Sequence, residues 1–183
     1  FVPNGYALRW VGHDPGNELK AFIRLNTTTS VSQVPEALQT YQCPAQNFVT
    51  ADNQGHIAMF AQQGKIPLRW KEQGKFLLLA GDSDQHWKGY IPRNHLPHIV
   101  DPTSGYVSSA NQSPADSSYP YFLNWNYYGL ERPRRINQLL ATKKSIVAAI
   151  FTGLSAPLPR LFDMLIDGSR IELFPDIAHR YRD

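Results

Sequence analysis

The side chains of this sequence whose type and spacing could do chemistry are few. Six histidines are available for proton transfer or metal binding, and three of them, His86, His95 and His98, stand close together. His95 and His98 are at i and i+3, a spacing that places two imidazoles on one helix face where they could hold a metal. Pro92 and Pro97 oppose a helix there, and loop histidines are the simpler reading. Asp82 and Asp84, among turn-forming residues, read as a polar turn rather than a general acid–base pair. No Gly-x-Ser-x-Gly elbow is present to carry a Ser-His-Asp nucleophile. Cys43, before Pro44 and with no histidine near it in sequence, reads as a small buried hydrophobe rather than a reactive thiol. Arg132-Pro133-Arg134-Arg135, with Tyr127 and Tyr128 nearby, is one short basic cluster in a chain of net charge +3, too little for a nucleic-acid surface. Asn111, just ahead of Ser113-Pro114, reads locally as a turn residue. Arg132 reads locally as a cation at a helix start, where the dipole disfavours it.

These groups must be positioned by the elements around them. Tyr6 to Val11 alternates as a short strand ended by His13-Asp14-Pro15-Gly16. Glu18 to Asn26 sets Leu19, Phe22 and Ile23 at helical spacing. Ser30 with Gln33 forms a capping-box pattern for a second short helix through Gln42, with Pro35 in its first turn. Phe48 to Ala51 and Ile57 to Phe60 flank Asp52-Asn53-Gln54-Gly55, the pattern of an antiparallel hairpin. Phe76 to Ala80 adds a strand, and Gly81 to Tyr121 is a long loop, of the kind that carries function or is an insertion packed on another subunit. A helix from about Arg132 to Lys143 buries Ile136, Leu139 and Leu140 and ends on basic residues that suit its dipole. A further helix is expected around Leu161 to Ile166.

At 183 residues the chain is long enough for one domain with a real core. Hydrophobic residues at 42% against charged residues at 18% exclude an intrinsically disordered chain. The pI of about 9.0 comes from 18 Lys+Arg against 15 Asp+Glu, a shortage of acids rather than a basic coat. A single cysteine excludes an internal disulfide and a cysteine-built metal site. No signal peptide is visible from Phe1 onward. The apolar tract from Ile146 to Ile166 carries Gly153, Pro157, Pro159, Arg160 and Asp163, which a membrane span of about 20 apolar residues would not.

One longer pattern runs through these elements. Pro44-Ala45-Gln46-Asn47-Phe48-Val49-Thr50-Ala51-Asp52-Asn53-Gln54-Gly55-His56-Ile57 is followed by Gly64-Lys65-Ile66-Pro67-Leu68-Arg69. Trp87-Lys88-Gly89-Tyr90-Ile91-Pro92, Pro97 and Asp101-Pro102 come next. Gly105-Tyr106-Val107-Ser108-Ser109-Ala110-Asn111-Gln112-Ser113-Pro114, Tyr119-Pro120 and Arg132-Pro133-Arg134-Arg135-Ile136 complete it. In order and spacing, over about residues 6 to 146, this resembles the catalytic β chain of the penicillin acylase (penicillin amidase) family of N-terminal-nucleophile hydrolases.

The resemblance implies an α+β fold, a partial αββα sandwich with an antiparallel sheet and long irregular loops. It implies cleavage of N-acyl amide bonds, in β-lactam side chains or acyl-homoserine lactones, by a serine whose own α-amino group is the base. It places the oxyanion-hole asparagine on Asn111 and the active-site arginine on Arg132. No segment resembles the family's Ser-Asn start, so the nucleophile and base are expected to be missing and the isolated chain inactive. Some members bind a structural calcium through the carbonyl that falls on Pro67, but Leu123 and Asn124 stand where an acid is needed, and no metal or cofactor is expected. Residues 1–146 are read as the acylase-like fragment and residues 147–183 as a divergent tail, from a frameshift, a fusion or a divergent paralogue. The expected partners are a small N-acyl amide, the remaining acylase segments or a second copy of the chain, with neither nucleic acid nor membrane. A periplasmic or secreted location follows from the family. The alternative is a non-catalytic remnant or an acyl-ligand-binding module.

Overall fold

The turn Asp52-Asn53-Gln54-Gly55 is the corner of the computed structural model, which describes residues 4–70 and 73–142, and the backbone of 147–148, 164–167 and 170–173. Gly55 takes φ +91°, a conformation that L side chains avoid, and its N–H reaches Asp52 O at 3.2 Å. The Asp52 carboxylate accepts from Gln54 N and His56 N, which locks the corner. On either side run β1 (Gln46–Ala51) and β2 (Ile57–Gln63), antiparallel, with Phe48 opposite Phe60 and Ala51 opposite Ile57. This is the hairpin read from the sequence.

A third strand, β3 (His98–Val100), pairs antiparallel with β2, so that β2 is central in the order β1-β2-β3. Ile57, Ala58, Phe60, Ala61 and Gln63 are accordingly buried. β3 lies within the segment read as loop. Three residues between Pro97 and Asp101-Pro102 are too few to show a period, and the strand exists because the edge of β2 offers it a ladder.

Two short helices cover the sheet. In α1 (Glu18–Leu25) the side chain of Asn17 caps Lys20 N. The expected stripe is turned outward: Leu19, Phe22 and Ile23 are 71%, 46% and 58% exposed, while Ala21 is fully buried and Leu25 packs on the core. Ala21, lacking a long side chain, is the residue that lets α1 approach the Leu38 turn closely. The second helix is a composite: a 3-10 turn (Val31–Gln33), then α2 (Val34–Ala37), then a 3-10 turn (Leu38–Thr40). Ser30 makes no cap; Gln33 reaches back to Thr29 N, and Asp52 accepts from Val31 N across the fold. Ala21, Val31, Val34, Leu38, Tyr41, Ala58 and Phe60 form the main core.

A second core lies among the loops: Ile66, Ile91 and Leu96, with Ala45, Leu68, Tyr121 and Leu123 against them. Two expected strands are absent. Tyr6 to Trp10 has no ladder and leads into a 3-10 turn (Val11–His13), and Phe76 to Ala80 is irregular with Leu77 and Leu79 exposed. Neither segment has a neighbouring strand to pair with among the described residues, and an alternating pattern alone does not make a strand.

The last described helix, α3 (Glu131–Ala141), begins where the helical pattern resumes in the sequence. It buries Pro133 and Leu140 and half-buries Ile136, but Leu139 is 47% exposed. Lys143 and Lys144 lie outside the described residues. Further on, the backbone forms β4 (Val147–Ala148), β5 (Met164–Asp167) and β6 (Arg170–Leu173), antiparallel in that order. The helix expected around Leu161 to Ile166 is thus corrected from Met164 onward, where pairing of Met164 with Leu173 makes the chain extended; residues 161–163 lie outside the description. The architecture is α+β, and no helix among the described residues is long and apolar enough to cross a membrane.

Candidate functional site

Asn111 sits at a sharp bend with φ +65°, the left-handed region that asparagine tolerates better than most residues. The local reading as a turn residue therefore describes its backbone. Its side chain does something further: Arg132 Nη1 donates to Asn111 Oδ1 at 3.1 Å, joining the two residues across the intervening loop. A guanidinium has only donors, so the amide must turn Oδ1 toward it. Both hydrogens of Asn111 Nδ2 then point away from Arg132, and both residues are solvent-exposed.

The bend is built locally. Gln112 Oε1 accepts from Ala110 N at 2.6 Å, and Gln112 Nε2 donates to Ser108 O at 3.4 Å. Val107, Ser109 and Ala110 are buried beneath it. Arg132 is placed by the first turn of α3, anchored by buried Pro133. The dipole disfavours a cation at that end, and the Asn111 carbonyl oxygen offsets part of the cost.

Asn47, Ser108, Ser109 and Asn137 were not singled out from sequence, yet they hold the bend through side-chain hydrogen bonds of 2.6–2.7 Å. The signal for one of them was present: an asparagine is disfavoured in a strand, and Asn47 opens the apolar run of β1.

The remaining candidates are dispersed. His95 ends a 3-10 turn (Arg93–His95), with Nδ1 2.6 Å from Tyr121 Oη, while His98 lies in β3 with Nδ1 2.9 Å from Leu96 O. Asp82 and Asp84 flank the start of a 3-10 turn (Ser83–Gln85), and Asp82 caps it by accepting from Asp84 N. Cys43 is a free, half-buried thiol whose pKa is pushed up by burial and then by the Glu18 charge, the opposite of what activates a nucleophile. Pro67 is buried and bridged to Tyr90. The described residues contain no group of three or more His, Cys, Asp or Glu that could hold a metal ion.

Comparison with known proteins agrees with the pattern in the sequence. The profile of the penicillin amidase family matches residues 2–170. The chain is similar to the penicillin acylase 2 proenzyme of Pseudomonas sp. (strain SE83), 28% identical over 118 residues, which is 64% of this chain and 15% of that protein. It is 28% identical over 141 residues to the acyl-homoserine lactone acylase QuiP of Pseudomonas aeruginosa, covering 77% of this chain and 16% of the relative. It is 30% identical over 106 residues to the penicillin G acylase of Escherichia coli, covering 56% and 12%. The chain therefore spans about a seventh of the length of the curated relatives it matches.

Proposed function

The chain belongs to the penicillin amidase family, and on that premise we propose that it forms the part of an amide-hydrolysing acylase that supplies the oxyanion donor Asn111, oriented by Arg132. The observation that carries this reading is the Arg132 Nη1 to Asn111 Oδ1 hydrogen bond, because it leaves Nδ2 as a donor aimed elsewhere. When a nucleophile adds to an amide carbonyl, the oxygen takes up negative charge. A donor already in place stabilises that charge without the reorganisation water requires, typically by about 3 kcal/mol. Arg132 polarises the amide and adds positive potential near the developing oxyanion.

In this reading the serine nucleophile and its α-amino base come from another segment of the acylase, as the family resemblance implies. The serines nearest Asn111 are engaged: Ser108 with Asn137, Ser109 with Asn47, and Ser113 with Ala115 O. The substrate class is an N-acyl amide, in keeping with the names of the relatives, and the setting is periplasmic. Residues 1–146 form the acylase β-chain segment, part of an αββα sandwich, and residues 147–183 a divergent tail. Apolar side chains left uncovered on α1, and exposed Trp10, Phe76 and Trp125, suit burial against further acylase segments or a second copy.

Asn111→Ala in the complete acylase is expected to lower turnover by about two to three orders of magnitude with little change in melting temperature. Loss of stability with the rate intact would reduce Asn111 to a turn residue and defeat the proposal. The isolated chain is expected to show no burst and no hydrolysis of chromogenic N-acyl amides, and turnover that maps to one of its own serines would overturn the assignment of the nucleophile elsewhere.

A further inference from the structure

The bend that carries Asn111 is gripped from two sides by consecutive residues. Ser108 Oγ donates to Asn137 Oδ1 at 2.6 Å, and Asn137 stands on α3, the helix that carries Arg132. Ser109 faces the sheet instead: its hydroxyl oxygen accepts from Asn47 Nδ2 at 2.7 Å, and Asn47 belongs to β1. Asn47 also uses its other atom, with Oδ1 accepting from Gln62 N at 2.7 Å.

The sheet is irregular at this level and nowhere else along the hairpin. The register shifts between Gln46 and Phe48, and across from it Gln62 holds φ +52°, a left-handed conformation unusual for a residue other than glycine. Such backbone persists where the surroundings over-determine it. Here the Asn47 side chain takes the Gln62 N–H that a regular ladder would have used, and the displaced register turns the same side chain toward Ser109.

We infer that Asn47 and Asn137 are positioning residues for the oxyanion donor, holding the bend through Ser109 and Ser108 so that Asn111 Nδ2 keeps its aim while α3 holds Arg132 against Oδ1. The inference rests on the reading of Asn111 as that donor. A donor contributes to rate through being fixed before charge develops. Asn111 and Arg132 are both exposed, so the bond between them ties one surface side chain to another and fixes neither to the body of the protein. The two serine links supply what that bond lacks. One runs to the sheet and one to the helix, so the bend cannot shift relative to either without breaking a hydrogen bond.

Steady-state kinetics of the complete acylase tests this. Asn137→Ala and Ser109→Ala are each expected to lower kcat about 10- to 100-fold, the scale of a small misplacement of a catalytic group, with KM within about twofold. Asn137→Asp keeps an acceptor for Ser108 and should restore most of the rate. Asn47→Asp, with Ser109 present, should likewise keep most of the wild-type rate that Ser109→Ala loses, since a carboxylate accepts from both Gln62 N and the Ser109 hydroxyl. Ser109→Ala is preferred to Asn47→Ala because it leaves Gln62 N paired, and Ser108→Ala replaces Asn137→Ala if that variant does not fold. In an Asn111→Ala background, Asn137→Ala should cost nothing further, because its effect passes through Asn111. Wild-type kcat in both alanine variants, no rescue by the aspartates, or an undiminished effect with Asn111 absent overturns the inference while leaving Asn111 as the donor. Unchanged kcat in Asn111→Ala alone overturns the donor reading itself, and this inference with it.

Discussion

Among the described residues two apolar cores stand out, and they are built on different terms. The first packs α1, α2 and the Leu38 turn against the sheet, with regular elements supplying most backbone hydrogen bonds internally. The second gathers Ile66, Ile91 and Leu96 from loops, where backbone groups find partners one at a time: Ile91 N to Ile66 O, Leu68 N to Gly89 O and Leu96 N to Arg93 O. Both bury leucines almost completely, Leu38 to 0% and Leu96 to 1% exposure. The first core can be assembled from neighbours in sequence. The second requires segments that are remote in sequence to arrive together, and it is this second core that receives Tyr121 and Leu123 from the loop between Asn111 and Arg132. The candidate site thus hangs on the less regular core and is tied back to the more regular one through Asn47.

Truncating the two leucines breaks the comparison most sharply. Leu38→Ala and Leu96→Ala are each expected to cost about 2–5 kcal/mol, measured by denaturant unfolding. Their local signatures should differ. Leu96→Ala should speed hydrogen exchange at Ile91 and Leu68 while the Phe48–Phe60 ladder stays protected, whereas Leu38→Ala should lower protection throughout the hairpin. Equal loss in both regions for both variants would show a single cooperative unit.

Arg93 links the two cores directly. Its Nη1 donates to Leu38 O at 3.0 Å and its Nη2 to Tyr41 O at 2.7 Å, from a half-buried position where burial pushes the guanidinium pKa down. Arg93→Met keeps the stem and removes both donors, and should cost about 1.5–3 kcal/mol. If the link is what couples the cores, unfolding of this variant should broaden or split into two transitions. A single transition of unchanged steepness would assign the coupling to packing instead.

The smallest expected effect lies at the hairpin corner. His56 Nδ1 stands 2.7 Å from Asp101 Oδ2, and Asp101 Oδ1 accepts from Ile57 N at 2.9 Å, which joins the end of β3 to the start of β2. The hydrogen bond to Asp101, followed by the Asp101 and Asp52 charges, raises the His56 pKa above its ordinary value. The Ile57 N–H and then His56 lower that of Asp101. A histidine raised on folding contributes fully below its unfolded pKa of about 6.5 and loses that contribution as pH rises through the folded value. A lowered aspartate contributes fully above about 3.9 and loses it as pH falls through its folded value. The pair therefore supports the corner best between about pH 4 and 6.5. Both groups are exposed, so the effect is small: between pH 6 and 8.5 the wild-type melting temperature should fall about 1–3 °C more than that of His56→Gln. Parallel curves would remove the pair from the account.

The hairpin was legible in the sequence because its evidence is local: a glycine-bearing turn between two apolar runs admits few other structures. α1 and α3 were legible as helices for the same reason, but their buried faces were not. Leu19, Phe22 and Ile23 have the spacing of a core stripe and lie outward because Ala21 is what fits against the Leu38 turn. β3 was illegible, since three residues carry no period, and Phe76 to Ala80 was misleading, since a strand-like run with no partner stays irregular. At the site, Asn111 and Arg132 were identified through the family pattern, whereas Asn47, Ser108 and Ser109 lay within that pattern without an assigned role and Asn137 lay just beyond it.

What the sequence determined by itself was the family, the turn at Asp52 to Gly55, α1 and α3 as helices and the identity of the two residues proposed for the site, all properties of residue type and short-range order. What only the tertiary structure decided was which faces are buried, that β3 exists, and that a bend beginning at Ser108 is fastened to a strand on one side and a helix on the other. The physical reason is range. Turn chemistry and helical periodicity act within a few residues, whereas Asn47 and Ser109 are 62 residues apart and Ser108 and Asn137 are 29 apart, and such pairs are created by the packing of the chain rather than by any pattern along it.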